Sequence, residues 1–170
     1  MLKTKTQVVY DVTVVEGSGD KWRKTVDNIF IGEYRHQLDD KGRLAIPAKF
    51  RASLKKGAVV TKGLDGCLFL YTPVEWKKLV DKLSSMPISQ SNARAFARLM
   101  LAGAMDVTVD TQGRINLPNY LIEFGKLKTK TQTIVAGLMN RLEIWEEGAW
   151  EKYKTKTESE SEKLAEQLFI

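Results

Sequence analysis

Residues 38–47 read Leu-Asp-Asp-Lys-Gly-Arg-Leu-Ala-Ile-Pro, and residues 109–118 read Val-Asp-Thr-Gln-Gly-Arg-Ile-Asn-Leu-Pro. Both follow the pattern apolar-Asp-x-x-Gly-Arg-apolar-x-apolar-Pro, and the second copy lies 71 residues after the first. The similarity continues downstream, where Gly63, Leu64 and Trp76 are matched by Gly137, Leu138 and Trp150. Landmarks that recur in this order indicate two copies of one structural unit of about 45 residues.

Each of the two stretches predicts a tight turn that leads into a short strand. An Asp at the start of such a stretch can accept hydrogen bonds from the backbone ahead of it, and a Gly tolerates a positive φ angle. Polar and apolar residues alternate over 43–46 and over 114–117, which is the period of a half-buried strand. The residues expected to shape the turns are Asp39, Gly42, Asp110 and Gly113. Arg43 and Arg114 are then expected at the exits of the two turns.

The segments around the turns predict further strands and helices. The sequence predicts a short helix over 48–51, strands over 59–61 and 67–71, and longer helices over 72–83 and 91–101. Pro47 suits the first turn of the short helix, and Thr72 followed three residues later by Glu75 is a helix start with a cap. The C-terminal segment from Glu147 is expected to be helical, with the run KTKTESES at 154–161 only weakly ordered.

The composition excludes several classes of protein. The chain has 170 residues, with 27 Lys+Arg against 21 Asp+Glu, and its formal net charge of +6 is weak support for a nucleic-acid partner. An internal disulfide is impossible with the single Cys67, and Cys67 and His36 are too few ligands for a thiolate and imidazole zinc site. No stretch approaches the roughly 20 apolar residues of a membrane span, and no signal-peptide layout is present. We expect no cofactor, no metal, no membrane association and no small-molecule substrate.

Catalysis has little support in the sequence. Asp39 and Asp40 could in principle form an acid pair, but neighbouring residues on a strand point to opposite faces, and an exposed turn is the better interpretation. A hydrolase with a nucleophile and a base has only His36 to draw on. The chain also has no glycine-rich loop of the kind that cradles phosphates. We therefore expect that the protein is not an enzyme.

The two turn arginines are the strongest candidates for a binding role. A guanidinium can donate two hydrogen bonds to O6 and N7 of guanine, which is the commonest specific base contact in DNA. The residues expected to contact DNA are Arg43 and Arg114 at the bases, and Lys41, Arg35, Lys49 and Arg51 at the phosphates. The alternative is that both turn arginines are surface residues paired with Asp39 and Asp110. The residues alone leave both interpretations open.

Six stretches, taken in order, resemble the bacterial MraZ proteins. They are FIGEYRH (30–36), LDDKGR (38–43), IPAKFR (46–51), GLDGCL (63–68), ARAF (93–96) and DTQGRI (110–115). The similarity runs from about Ile29 to Tyr153, most of the chain. MraZ proteins in turn resemble AbrB-type transition-state regulators, and the Asp-x-x-x-Arg pattern of the family is intact in both copies.

The resemblance implies both a fold and a function. The fold would be β-rich α+β, with two tandem swapped-hairpin AbrB-like β domains and short flanking helices. The function would be that of a sequence-specific DNA-binding transcriptional regulator, a repressor of the division and cell-wall gene cluster that contains its own gene. It would bind short G-rich direct repeats in double-stranded DNA of its own promoter. The protein would be a ring-like homo-oligomer, cytoplasmic and nucleoid-associated.

The same resemblance divides the chain into four segments. They are an N-terminal extension (1–28), a first SpoVT-AbrB unit with helices (29–102, core about 33–76), a second unit (103–153, core about 104–147) and a charged C-terminal tail (154–170). The first 28 residues match neither unit, and two interpretations stay open for them. They are a genuine basic arm, or they are upstream DNA read as protein from a misplaced start codon. In the second case, their codons permit three GTGG elements ten nucleotides apart, about one turn of the duplex.

The alternative function is that of an AbrB-like regulator of the antitoxin type. Such a regulator binds a protein partner, and its DNA binding is secondary. A C-terminal segment that binds the partner would distinguish this alternative from a DNA-reading repressor. Residues 154–170 are short, but they fit such a segment loosely. Capture of a toxin-like partner in a pull-down would favour it.

Overall fold

The structure is a computed structural model, and it describes residues 29–169. The strands are β1 (Phe30–Gln37), β2 (Arg43–Ala45), β3 (Ala58–Lys62), β4 (Leu68–Tyr71), β5 (Met105–Val107), β6 (Arg114–Asn116), β7 (Gln132–Met139) and β8 (Arg141–Glu146). The helices are α1 (Ala48–Arg51), α2 (Pro73–Ser84), α3 (Ser91–Ala102), α4 (Asn119–Phe124), α5 (Glu147–Ser159) and α6 (Ser161–Leu168). The N-terminal extension predicted over 1–28 lies outside the described residues.

Six strands form one antiparallel sheet in the order β1-β7-β8-β4-β3-β5. Strands of the two sequence units are mixed in it, because β1 pairs with β7, and β4 pairs with β8. The central strands β3, β4, β7 and β8 are buried along most of their length. Both faces of the sheet are therefore covered, and the two units interlock in a shared core.

The remaining strands, β2 and β6, pair with each other and form a separate two-stranded ribbon, which we call the ribbon. Its central pair is Leu44 and Ile115, which lie directly opposite each other and are fully buried. Beyond the strands, the Ile46 N–H donates to the Gly113 carbonyl and the Leu117 N–H donates to the Gly42 carbonyl, at 2.8 Å each. Because each contact has its counterpart 71 residues later, the ribbon has an approximate twofold axis through its centre.

The two faces of the large sheet have different coverings. On one face, apolar side chains of the sheet pack against the ribbon and against Phe50 of α1 and Leu121 of α4. On the other face, Cys67, Phe69 and Trp145 pack with α2, α3 and α5. Successive side chains on a strand alternate between faces. The ribbon and its turns therefore lie on the face opposite to the long helices.

The predicted helices are confirmed at the positions where capping and periodicity indicated them. The helix α2 begins after Thr72, whose Oγ1 accepts the Glu75 N–H at 3.3 Å. The helix α3 spans the stretch whose apolar periodicity predicted it. The short helix after Pro47 is also present. Each of these helices is determined by residues close together in sequence, which is why the pattern was sufficient.

The prediction of weak order over 154–161 is wrong, because α5 continues through most of that run. Tyr153 packs against the ring of Trp145 on the sheet. The ammonium of Lys154 lies 3.4 Å from a carboxylate oxygen of Glu33 on β1. Hydroxyls of the run also donate to helix carbonyls, as Thr157 does to Tyr153 at 2.9 Å. Tertiary contacts therefore stabilise a helix that its composition alone would leave marginal.

The predicted fold class is confirmed: the described chain is β-rich α+β, with most of its sheet antiparallel and with several short helices. Within residues 29–169, no helix combines the length and the apolar character needed to cross a bilayer.

Candidate nucleic-acid interface

The first turn, residues 39–43, is organised by one carboxylate. Asp39 Oδ1 accepts the backbone N–H groups of Lys41 and Arg43, both at 2.9 Å. Asp39 Oδ2 accepts the guanidinium of Arg43 through Nε and Nη2, both at 2.7 Å. Gly42 has a φ of 73°, a conformation that a residue without a Cβ adopts at least cost. The local residues thus fix both the turn and the direction of its arginine.

The second turn, residues 110–114, repeats this arrangement. Asp110 Oδ1 accepts the backbone N–H groups of Gln112 and Arg114 at 2.9 Å each. Asp110 Oδ2 accepts Arg114 Nε at 3.1 Å and Nη2 at 2.9 Å, and Gly113 has a φ of 79°. The same five-residue pattern therefore produces the same turn twice.

Both turn carboxylates are held in the charged form. The side-chain hydrogen bond from Arg43, followed by the backbone bond from the same residue, lowers the pKa of Asp39 to about 2. The pKa of Asp110 is also lowered, with the backbone N–H of Arg114 as the largest cause. Near neutral pH each turn therefore keeps an ionised carboxylate that orients an arginine.

Each turn arginine keeps donors that the Asp does not use. A guanidinium has five N–H groups, and the Asp in each turn engages only the Nε and Nη2 side. The Nη1 of Arg114 lies 3.9 Å from Asp39 Oδ2, which is beyond hydrogen-bond distance. The side chains of Arg43 and Arg114 are 32% and 23% exposed. Pairing with Asp and contact with a ligand are therefore compatible, because the outer edge of each guanidinium remains available.

The flanks of the two turns differ. The side chain of Arg51 lies against Gly113 of the second turn and donates from Nε to the Ile46 carbonyl at 2.8 Å. At the equivalent place in the first turn, the nearest side chain to Gly42 is that of Ile122. Ile122 lies 71 residues after Arg51. The second turn therefore has a guanidinium at its side where the first turn has an apolar side chain.

The other residues predicted to contact phosphates occupy different positions. Lys41 is exposed at the tip of the first turn. Lys49 donates to the Ile31 carbonyl at 3.0 Å and lies over the Tyr34 and Phe50 rings. The structure brings Lys41 and Arg51 close to the turn arginines, whereas the ammonium of Lys49 is already engaged by its own protein.

Arg35 lies on the opposite face of the sheet from the turns. Its guanidinium is 2.8 Å from Glu151 Oε1, 3.8 Å from Glu147 Oε1 and 3.7 Å from Glu33 Oε1. Its neighbour Tyr34 packs on the ribbon side with Phe50. The ion pairs of Arg35 therefore attach α5 to β1, away from the two turns.

Further cations lie beside the turns and were not predicted from the sequence. Lys130 is 4.0 Å from Asp40 Oδ1, and its backbone N–H donates to the Leu38 carbonyl at 3.3 Å. Lys55 borders a shallow cavity of about 300 Å³ at the second turn, together with Arg51 and Thr111. Exposed lysines alternate with other residues in the run Lys126-Leu127-Lys128-Thr129-Lys130. That alternation was the sequence signal that could have indicated these cations.

Burial shifts the pKa values of the single histidine and the single cysteine of the chain, His36 and Cys67. Burial, followed by the charge of Arg51, lowers the pKa of His36. Cys67 is buried, and that burial raises the pKa of its thiol far above the usual range. Among residues 29–169 there is no group of three or more His, Cys, Asp and Glu side chains that could hold a metal ion.

Comparisons with known proteins agree with the repeat and with the resemblance. The chain matches the family described as "MraZ protein, putative antitoxin-like" over residues 29–99 and again over 100–169. It is 46% identical over 140 residues to the transcriptional regulator MraZ of Desulforamulus reducens, covering 82% of this chain and 97% of that protein. Proteins of the same name from Natranaerobius thermophilus and Caldanaerobacter subterraneus are 44% and 45% identical, each covering 82% of this chain and 96% of the relative.

Proposed function

The chain belongs to the MraZ family, and from that premise we propose that it is a sequence-specific DNA-binding transcriptional regulator. The relatives it resembles are named transcriptional regulators. In this proposal, Arg43 and Arg114 contact bases in the major groove, and Lys41, Arg51, Lys55 and Lys130 contact the phosphates beside them. Arg35 and Lys49 are left out because carboxylates or the protein's own backbone and rings already engage them.

The observation that carries the proposal is the pair of arginine turns on one ribbon. A two-stranded ribbon is narrow enough to enter the major groove of B-DNA, and ribbons of this kind read bases in several regulators. The twofold arrangement puts both guanidinium groups on the same side of the protein, away from the long helices. Each arginine is held by an ionised Asp and keeps its outer edge available for guanine.

We propose that the protein represses the division and cell-wall gene cluster that contains its own gene. The operator is a set of short G-rich direct repeats, since guanine is the base that a bidentate arginine selects. The segments 29–102 and 103–153 are the two DNA-contacting units, and 154–170 is the tail. A regulator of this kind works on the nucleoid in the cytoplasm.

The proposal includes a ring-like homo-oligomer, and two exposed surfaces support it. Leu164 and Leu168 of α6 are partly or largely exposed, with Glu162 and Glu166 at the same four-residue spacing. A groove of about 310 Å³ between α2 and α3 has an apolar lining and the positive side chains of Arg94 and Arg98, again four residues apart. The acidic, apolar helix of one copy complements the basic, apolar groove of the next.

The test is DNA affinity against the number and phase of repeats. Fluorescence anisotropy is measured on duplexes with one, two and three GTGG repeats at ten-base-pair steps. An oligomer makes the later contacts intramolecular, so the affinity should rise much more than additively with repeat number. Inserting five base pairs between repeats should remove much of the gain, because the next repeat then faces the other side of the duplex.

The controls separate DNA reading from mere charge attraction. A duplex of the same length and composition with a scrambled sequence should bind weakly at every repeat number. Equal affinity for all repeat numbers and phases would reject the oligomer-on-repeats mechanism. Equal affinity for specific and scrambled duplexes would reject sequence-specific binding, and a regulator of the antitoxin type, with a protein as its main partner, would then be favoured.

A further inference from the structure

The exposed face of the ribbon is not symmetric, although its backbone nearly is. Arg43 lies directly across from Asn116, whereas Arg114 lies directly across from Ala45. Side chains directly opposite each other on an antiparallel pair are neighbours, with Cβ atoms roughly 4.5–5.5 Å apart. One half of the ribbon therefore presents an arginine beside a carboxamide, and the other half presents an arginine beside a methyl group.

The carboxamide of Asn116 is available for a ligand. The side chain is exposed and makes no hydrogen bond with another residue of the described chain, 29–169. Its Oδ1 would be 3.8 Å from a Cβ placed on Gly42, so the amide lies at the base of the first turn. Asn116 also borders a surface cavity of about 300 Å³, together with Thr108.

Resting on the proposed DNA contact of the two turns, we propose that Asn116 determines sequence specificity by reading an adenine next to the guanine read by Arg43. Adenine presents an N7 acceptor and an N6 donor in the major groove, and the Asn carboxamide matches both with two hydrogen bonds. Ala45 can offer the other half only an apolar contact, of the kind made with the thymine methyl group. The two halves of the ribbon therefore read different base pairs.

A protomer with unequal halves binds DNA in one orientation. A twofold-symmetric reader fits a palindrome, because rotating it by half a turn restores the same contacts. Rotating this ribbon puts Ala45 where Asn116 was, and it puts Ile122 where Arg51 was. Each exchange takes a polar side chain away from one half of the bound element and brings it to the other half. Each protomer thus reads a non-palindromic element, and repeated protomers require direct repeats of one polarity.

The experiment is selection of binding sites from a pool of randomised duplexes, with the full chain and three variants. The parent should select an asymmetric element with an adenine at one position. Asn116→Ala should lose that preference, and its affinity for the parent element should fall roughly 5- to 150-fold, the range of one bidentate base contact. The double exchange Ala45→Asn with Asn116→Ala should move the adenine preference to the other half of the element.

The matched control is Asn140→Ala, which removes an exposed carboxamide from the β7–β8 turn and should select the parent element. Thermal unfolding of all variants checks folding, and Asn116→Ala alone changes only an exposed side chain. A symmetric selected element, or an exchange variant that selects the parent element, overturns this inference alone. A parent that binds no duplex overturns the proposed function and this inference together.

Discussion

The first turn and the second turn share the hydrogen bonds that their own residues make, and they differ in what reaches them from elsewhere in the chain. Asp39 and Asp110 each accept two backbone N–H groups and one guanidinium. Arg51 lies against the second turn, however, and Ile122 against the first. The turn itself is therefore a local unit, whereas its chemical surroundings come from tertiary packing.

The largest expected effect is on stability, and it tests whether the two turns share one symmetric buried centre. Leu44 and Ile115 are paired, fully buried and close to the approximate twofold axis. Leu44→Ala and Ile115→Ala should each lower the free energy of unfolding by about 2–5 kcal/mol, because each leaves a cavity in the same core. Urea denaturation measures this. If one variant loses stability and the other does not, the centre of the ribbon is not shared equally.

The next effect tests the two arginines as base readers. Arg43→Ala and Arg114→Ala should each weaken binding to the repeat-containing duplex by about 1–3 kcal/mol for each repeat that is bound, the value of one bidentate guanine contact. The free energy of unfolding should change by less than about 1 kcal/mol, because partly exposed ion pairs contribute little. Anisotropy titrations and thermal unfolding measure the two quantities.

The matched control for the arginines is Arg35→Ala, which removes an exposed arginine from the face of the large sheet opposite to the two turns. This variant should bind DNA like the parent. If Arg43→Ala and Arg114→Ala also bind specific and scrambled duplexes like the parent, the two turns do not read the groove.

A smaller effect concerns pH, because the pKa of Asp39 is lowered to about 2. A carboxylate with a depressed pKa in the folded state stabilises the fold above its unfolded pKa, near 3.8, and that contribution is lost as the pH falls towards about 2. Thermal unfolding from pH 5 to pH 2 should therefore show a loss of stability that is smaller in Asp39→Asn. Asp110→Asn should act in the same direction, and Asp40→Asn, which keeps the Asp39 hydrogen bonds, should retain the parent's loss.

The smallest effect is on the salt dependence of binding, and it tests the phosphate contacts proposed beside the two turns. Lys41→Gln at the first turn and Lys55→Gln at the second should each reduce the slope of log K against log salt by about 0.9 for each protomer bound, the contribution of one phosphate contact. The reduction should be the same on specific and scrambled duplexes. Lys77→Gln, which removes a lysine paired with Asp81 on α2, should leave the slope unchanged. An equally large reduction of the slope in Lys77→Gln would show that the slope depends on net charge rather than on contacts at the turns.

Much of the local structure could be predicted from the sequence, because the deciding residues are close together. The Asp-to-backbone bonds of each turn span two and four residues. The cap of α2 spans three residues, from Thr72 to Glu75. In contrast, weak order was predicted over 154–161, since Lys154 and the preceding Tyr153 find their partners on strands that composition does not reveal. Arg35 was grouped with the turn residues by proximity in sequence, but strand alternation puts it on the opposite face.

The repeat, the two turns and the arginine at the exit of each turn follow from residues that lie close together in the sequence. Which strands pair, and what lies beside each turn, depend instead on the tertiary structure. β1 meets β7, Arg51 meets Gly113, and Asn116 meets the base of the first turn. The difference arises from how far apart in the sequence the interacting residues lie. A turn is stabilised by hydrogen bonds within a few residues, whereas these neighbours are brought together by burial of one apolar core built from both units.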